Sequence, residues 1–183
     1  MPEELFTELL AELAHRGAGH RESGAFLLAE RLPAADPDGP VTIAAIAYYD
    51  DLDSNCLTGG ITFSAEGYTA LNARCRRDGL LVAGDIHTHP RNRVVQSDID
   101  ASHPMAALDG HLAFIAPNYA RGPIGLEDLG AHVFHPDGWT SYLGPDVATV
   151  LTLTRPAHRT LRTARVRTLT ARLRSALRRR RTP

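Results

Sequence analysis

The sequence predicts an α/β (α+β) protein, with a central sheet, one helix ahead of it and further helices inserted between strands. Three observations predict it. The chain opens with an apolar stripe at helical spacing, Leu5, Phe6, Leu9, Leu10 and Leu13. Short apolar or β-branched runs then recur: GAFLLAE at 24–30, VTIAAIAYY at 41–49, LLVAGDIH at 80–87, HLAFIA at 111–116 and AHVFH at 131–135. A second helical stretch over 65–78 interrupts them. With 183 residues, 43% apolar and 22% charged, the chain is long enough to bury one core and too apolar to be disordered throughout.

The elements follow in order. Residues 3–15 form the first helix, ended by Gly17 and Gly19. Residues 24–30 read as a buried strand. The segment 32–40 (LPAADPDGP) is a turn, and 41–49 the second strand of a hairpin. Residues 50–60 are an acidic loop, followed by a short strand, Ile61–Phe63. Ser64 caps the helix at 65–78, with Glu66 at the positive end of its dipole. Gly67 occupies the third position, so the reciprocal Ser/Glu cap is incomplete. Residues 80–87 are a central strand and 90–96 a loop. A helix starts at Ser97 and is interrupted near Pro104. Residues 111–116 and 131–135 are further strands, and 139–143 pairs at an edge.

The net charge of −1 conceals an asymmetry. Residues 1–154 hold nine arginines against all 21 acids, a net charge of −12; residues 155–183 hold 11 arginines and no acid. An acidic body, 1–154, therefore carries a basic tail, 155–183. Leu161, Val166, Leu169, Leu173 and Leu177 fall on roughly one face of that tail, as in an amphipathic helix. Docking on the body or on an acidic partner is the favoured reading over nucleic acid or a membrane surface, and no aromatic residue interleaves the arginines. No lysine occurs anywhere, which codon composition explains; freedom from lysine-directed modification is the alternative. No apolar run reaches membrane-span length. An acidic start and two cysteines point to a cytoplasmic, reduced protein without a secretory signal. No glycine-rich loop follows a strand, which leaves nucleotide binding of the P-loop or dinucleotide type without support.

The chemistry is concentrated in Gly84-Asp-Ile-His87-Thr-His89-Pro90 and Ser97-Asp-Ile-Asp100. Side chains two apart on a strand face the same way, so His87 and His89 can reach one point. Pro90 ends the strand, and the loop returns to a helix whose first turn holds Asp100. Two imidazoles and a carboxylate make a three-ligand set that leaves one position of a zinc ion for water, the form of a catalytic rather than a closed structural site. Ser97 and Asp100 are also spaced as a helix cap, which would fix the carboxylate.

His87-Thr88-His89, seven residues, then Ser97-x-x-Asp100 resembles the JAMM signature of the MPN-domain metallopeptidase family, bacterial type. The segment Arg21-Glu22-Ser23-Gly24-Ala25-Phe26 is similar to that family's upstream glutamate stretch. Glu22 is the match; Glu30 is the less suitable candidate, at the far end of the strand. Phe114-Ile115-Ala116-Pro117-Asn118-Tyr119 also looks like bacterial members. The resemblance spans about 3–145 and implies a curved mixed sheet flanked by helices, with cytidine-deaminase-like layering. It implies one Zn²⁺ per chain on His87, His89 and Asp100, with water as fourth ligand. Glu22 would act as general base and then acid, and Ser97 would donate to an oxyanion. The implied reaction is amide hydrolysis at the C-terminus of a ubiquitin-like protein, by deconjugation or precursor processing. Ubiquitin-activating or ubiquitin-conjugating homologues would be the associated partners. Three alternatives stand: a peptidase processing a sulfur carrier or small peptide, a non-catalytic scaffold, and a nucleic-acid-associated role whose only support is the basic tail.

The remaining histidines, at 15, 20, 103, 111, 132, 135 and 158, share no ligand spacing and read as surface or satisfied core. His103 is the one placed to support Asp100 from outside the ligand set. Cys75 reads as a packing residue on its helix. Too few residues follow Asp100 before the next strand for the second zinc-bearing insertion of linkage-specific relatives. The acidic loop 50–57 is therefore expected to face the substrate, and an extended substrate tail could add as a strand beside the site.

Overall fold

The structure is a computed structural model that describes residues 1–30, 39–58 and 60–155. Most of the turn expected at 32–40 and the basic helix expected within 157–181 lie outside the described residues. Six strands form one mixed sheet: β1 (Gly24–Glu30), β2 (Ile43–Tyr48), β3 (Leu80–Thr88), β4 (Leu112–Ala116), β5 (Gly130–His135) and β6 (Gly138–Leu143). Their order is β2-β1-β3-β4-β5-β6. Every neighbouring pair is antiparallel except β3 and β4. A parallel pair cannot be joined by a tight turn, so the chain must cross over between them. That crossover, residues 89–111, carries the second half of the expected ligand set.

The period-2 alternation of β1 divides the core into two layers. Ala25, Leu27 and Ala29 join Ile86 and Phe114 on one face, where α1 (Glu3–Gly17) buries Phe6, Leu9, Leu10 and Leu13. Phe26 and Leu28 face the other side, packing with Tyr49, Cys56, Leu57 and Leu71 of α3 (Ala65–Asp78). The sheet thus has helices on both faces, in a mixed α and β architecture. The expected first helix runs two residues further than its stripe suggested, and Ala18 takes the left-handed cap at φ 49°. The hairpin strands pair as expected.

α3 matches its expected bounds. Ser64 Oγ accepts the Gly67 N–H at 3.2 Å, and Gly79, at φ 70°, ends the helix. The missing glutamate of the cap has a steric reason. A Cβ at position 67 would sit 2.7 Å from the Phe63 ring.

Three expected elements differ. The acidic loop begins with a four-residue helix, α2 (Tyr49–Leu52). The strand at 61–63 reduces to one bridge between Leu57 and Ile61. The helix after Ser97 is only α4 (Asp98–Ser102), because His103 precedes Pro104 and leaves the helical region at φ −131°, ψ 67°. Among the described residues no helix is long and apolar enough to cross a membrane.

The loop after β3 lies hard against β5. A Cβ on Gly130 would fall 1.8 Å from the Val94 carbonyl oxygen, a backbone atom that cannot swing aside. Gly130→Ala is expected to push this loop off the sheet and lower stability by about 3 kcal/mol, at the upper end of overpacking costs. Chemical denaturation of the variant beside the wild type measures it.

Candidate metal centre

β3 sets the first two candidate ligands. His87 is its penultimate residue and His89 follows its last, so both imidazoles emerge on one face. The strand end is held on both sides. Thr88 N–H donates to Ser23 O at 2.9 Å and His89 N–H to Ala116 O at 2.8 Å. Asp100 comes from the first turn of α4, whose cap is reciprocal: Ser97 Oγ accepts the Asp100 N–H at 3.2 Å, and Ser97 N–H donates to Asp100 Oδ2 at 2.8 Å. Five residues make a weak helix alone, so this cap is what fixes the carboxylate.

The three groups converge. His87 Nε2 and His89 Nε2 are 3.2 Å apart, His89 Nε2 and Asp100 Oδ2 3.2 Å, and His87 Nε2 and Asp100 Oδ1 3.7 Å. Those lengths are close to the edges of a tetrahedron around an ion with 2.0–2.2 Å bonds, roughly 3.3–3.6 Å. The tautomer agrees. His89 Nδ1–H donates to the Arg93 carbonyl at 2.9 Å, which leaves Nε2 with its lone pair in the neutral ring. Lone pairs and a carboxylate oxygen aimed at one point repel unless a cation lies between them. The set can hold a metal ion.

The surrounding charges divide the carboxyl groups. Burial raises Asp100, but its contacts with His87, His89 and Ser97 outweigh this and hold it far below the usual carboxylate range. Burial lowers His89, and the Asp100 carboxylate and Arg93 carbonyl reverse the shift, leaving it raised. Burial raises Glu22 against the opposing pull of His87 and His89. Continuing the β1–β3 register, in which Gly24 pairs with His87, places Glu22 across from His89. Glu22 and Ser97 both border the cavity of about 740 Å³ that the three ligands share. Glu30 pairs with Leu80 at the other end of β1, exposed and remote.

Several features escaped sequence reasoning. Asp85, two residues before His87 and so on its face, is buried and bound twice: by His111 Nε2 at 2.6 Å and by the Tyr49 hydroxyl at 3.0 Å. Gly24 makes room for that Tyr49 ring, which would lie 2.2 Å from a Cβ there. The strand alternation was the available signal for Asp85. Asn118, Tyr119 and Ala120 all have φ near +55° (54°, 54° and 56°), a left-handed turn with no glycine. Its amides grip the ligand loop: Asn118 N–H donates to Arg91 O at 3.0 Å and Tyr119 N–H to His89 O at 2.8 Å. Each such residue costs roughly 1–2 kcal/mol, and strain of this kind persists only where neighbouring structure enforces it.

His132 is a satisfied core residue, as expected, but with a task. Its Nε2 lies 3.0 Å from the Val94 carbonyl and its Nδ1 2.8 Å from Ser141 Oγ, so it braces the same loop. His103 bonds to Ser102 and to the Ile99 carbonyl, and these bonds do not involve Asp100. The acids expected to face a substrate are spent internally. Asp50 and Asp51 bind Arg16 at 2.6 and 2.8 Å, and Asp53 accepts the Ser64 N–H. The cavity wall on that side is Gly60, Ile61 and Thr62 instead. Cys75 packs on α3 as expected. Burial and the Asp53 and Asp50 carboxylates push the Cys56 thiol up to about 11, so it stays protonated and unreactive.

Burial lowers His132 below its ordinary value of 6.5, against the raising effect of the Val94 carbonyl. A depressed folded value means its contribution is present above 6.5 and is lost as pH falls toward the folded value. The stability gap between metal-free wild type and His132→Gln is therefore expected to narrow as pH drops from 7.5 to 5.5. Urea midpoints at the two pH values measure it.

No protein-family model matches the chain. The solution structure of a Desulfitobacterium hafniense protein aligns over 87% of this chain and 94% of its own, at 18% identity and a TM-score of 0.56. A Salinibacter ruber protein, also solved in solution, aligns over 87% and 94% at 21% identity and a TM-score of 0.53. The chain shares its fold with both.

Proposed function

We propose that this protein is a zinc-dependent metallopeptidase or isopeptidase of the JAMM type, hydrolysing an amide bond at the C-terminus of a ubiquitin-like protein. The observation that carries the proposal is the convergence of His87, His89 and Asp100 beside a half-buried carboxyl group, Glu22, in one cavity. Two nitrogens and one oxygen in a tetrahedral set suit zinc, and three protein ligands leave a position open for chemistry. When bound, zinc lowers the pKa of a water and polarises a carbonyl.

The chain's own groups supply the remainder. Glu22, raised by burial, is suited to take a proton from the attacking water and return it to the leaving amine. Asp100, held ionised, is unsuited to carry a proton and serves as a ligand. Ser97 Oγ accepts the Asp100 N–H, which leaves its hydroxyl hydrogen free to donate to the oxyanion of the tetrahedral intermediate. An extended substrate tail would lie along Gly60–Thr62, a wall of the cavity outside the sheet. Two free cysteines suit a reducing compartment, the cytoplasm.

Metal content by mass spectrometry tests the first step. Wild type and Glu22→Gln are expected to hold one zinc per chain, and His87→Ala to lose it. No zinc in reloaded wild type would sink the proposal. With a ubiquitin-like conjugate as substrate, Glu22→Gln is expected to slow cleavage by about 10²–10⁴-fold. Ser97→Ala should cost about 10²–10³-fold. Full zinc loading in the wild type with no cleavage of any ubiquitin-like precursor or conjugate would favour a scaffold.

A further inference from the structure

Four of the nine arginines among the described residues are in ion pairs. Arg16 binds Glu12, Asp50 and Asp51; Arg74 and Arg77 bind Asp78; Arg155 binds Glu3. Arg21, Arg76, Arg91, Arg93 and Arg121 are in none, and of these five only Arg91 and Arg93 border the cavity. Both are exposed, both border the cavity, and neither guanidinium makes an ion pair among the described residues. They are not carried on a loose segment. The Arg91 carbonyl is held by Asn118 N–H, the Arg93 carbonyl by His89 Nδ1–H, and Val94 by His132. The stretch Pro90–Gln96 contains no acid, although the body as a whole is strongly acidic.

Charge balance around the cluster gives this pair a meaning. A bound divalent cation would be offset by the Asp100 carboxylate and, when ionised, by Glu22, and by no more than these two. Asp85 is engaged by His111 and Tyr49. The two guanidiniums then remain as uncompensated positive charge at the cavity. The other groups bordering it include Ile99 and Trp139, which are apolar, and Ile99 is 72% exposed. A cavity with two cationic forks on one loop and apolar surface on α4 discriminates between the ends of its ligand. Guanidinium forks match carboxylates with paired hydrogen bonds.

We propose that Arg91 and Arg93 are specificity-determining residues that bind a carboxylate of the substrate, so that the amide cleaved lies beside a carboxylate. This rests on the metal-hydrolase reading above. The carboxylate belongs either to a free C-terminal amino acid on the leaving side or to an acidic side chain flanking the scissile bond. Apolar parts of the substrate then lie toward Ile99 and Trp139.

The test uses the full chain loaded with cobalt(II), whose visible spectrum reports a thiolate entering its coordination shell. The probes are mercaptoacetate, 3-mercaptopropionate and 4-mercaptobutyrate, each beside its uncharged amide. At least one carboxylate is expected to bind about 10- to 100-fold more tightly than its amide, the range for hydrogen bonds to a charged group. The advantage should vanish in an Arg91→Gln/Arg93→Gln variant that binds cobalt with unchanged stoichiometry and binds the amides as before. N-mercaptoacetyl-glycine and N-mercaptoacetyl-aspartate α-amide separate the two sources: preference for the first identifies a terminal carboxylate, for the second an acidic side chain. No carboxylate advantage at any chain length, or an advantage that survives the double substitution, overturns the proposal and leaves the metal site intact. Failure of the wild type to bind cobalt or zinc at all would instead overturn the reading on which it rests.

Discussion

The end of β3 is clamped from both sides by backbone hydrogen bonds, Thr88 N–H to Ser23 O and His89 N–H to Ala116 O, and the candidate site depends on that clamp. Strand alternation brings His87 and His89 together only while the backbone stays extended through Thr88. One neighbour is antiparallel and the other parallel, so the strand end sits where the sheet changes direction. The parallel step obliges the chain to leave the sheet and return, and the excursion delivers Asp100. Loops outside strand ends at such a reversal are common places for ligands in α/β sheets.

The excursion is short of regular structure, yet it is tied down along its length. The left-handed turn at Asn118–Ala120 grips its start, His132 grips Val94, and the Ser97–Asp100 cap fixes its middle, where α4 begins. Strain in one place is thus balanced by hydrogen bonds in another. The same enclosure separates the two carboxyl groups electrically. Asp100 has hydrogen-bond donors close by and is driven toward its charged form, while Glu22 lacks such donors and is driven toward its neutral form. On the proposed function, the two opposed tendencies would suit one acid to hold charge and the other to pass protons.

What the sequence made legible was local. The apolar stripe of α1, the Ser64 cap and the alternation in β1 each act within a few residues, and the structure follows them closely. The ligand trio was legible because His-x-His on a strand and Ser-x-x-Asp at a helix start are both short-range geometries. The misses were long-range. Arg16 captures Asp50 and Asp51 from 34 and 35 residues away, which removes them from the cavity. His111 finds Asp85 across 26 residues, and no spacing rule foretells that. The left-handed turn was hidden for a different reason. Tyr119 and Ala120 have no preference for that region, and the turn is held by the hydrogen bonds that Asn118 and Tyr119 donate to the ligand loop.

The contact between Gly24 and Tyr49 links positions far apart in the chain into one heritable unit. Any side chain at 24 collides with the Tyr49 ring, and any smaller residue at 49 withdraws the hydroxyl that Asp85 accepts. Asp85 in turn relies on His111 for its other oxygen. These four residues cannot drift singly. Relatives that replace one should replace the others in the same lineage, so the quartet offers a way to sort distant sequences by site architecture where overall identity is too low to do so.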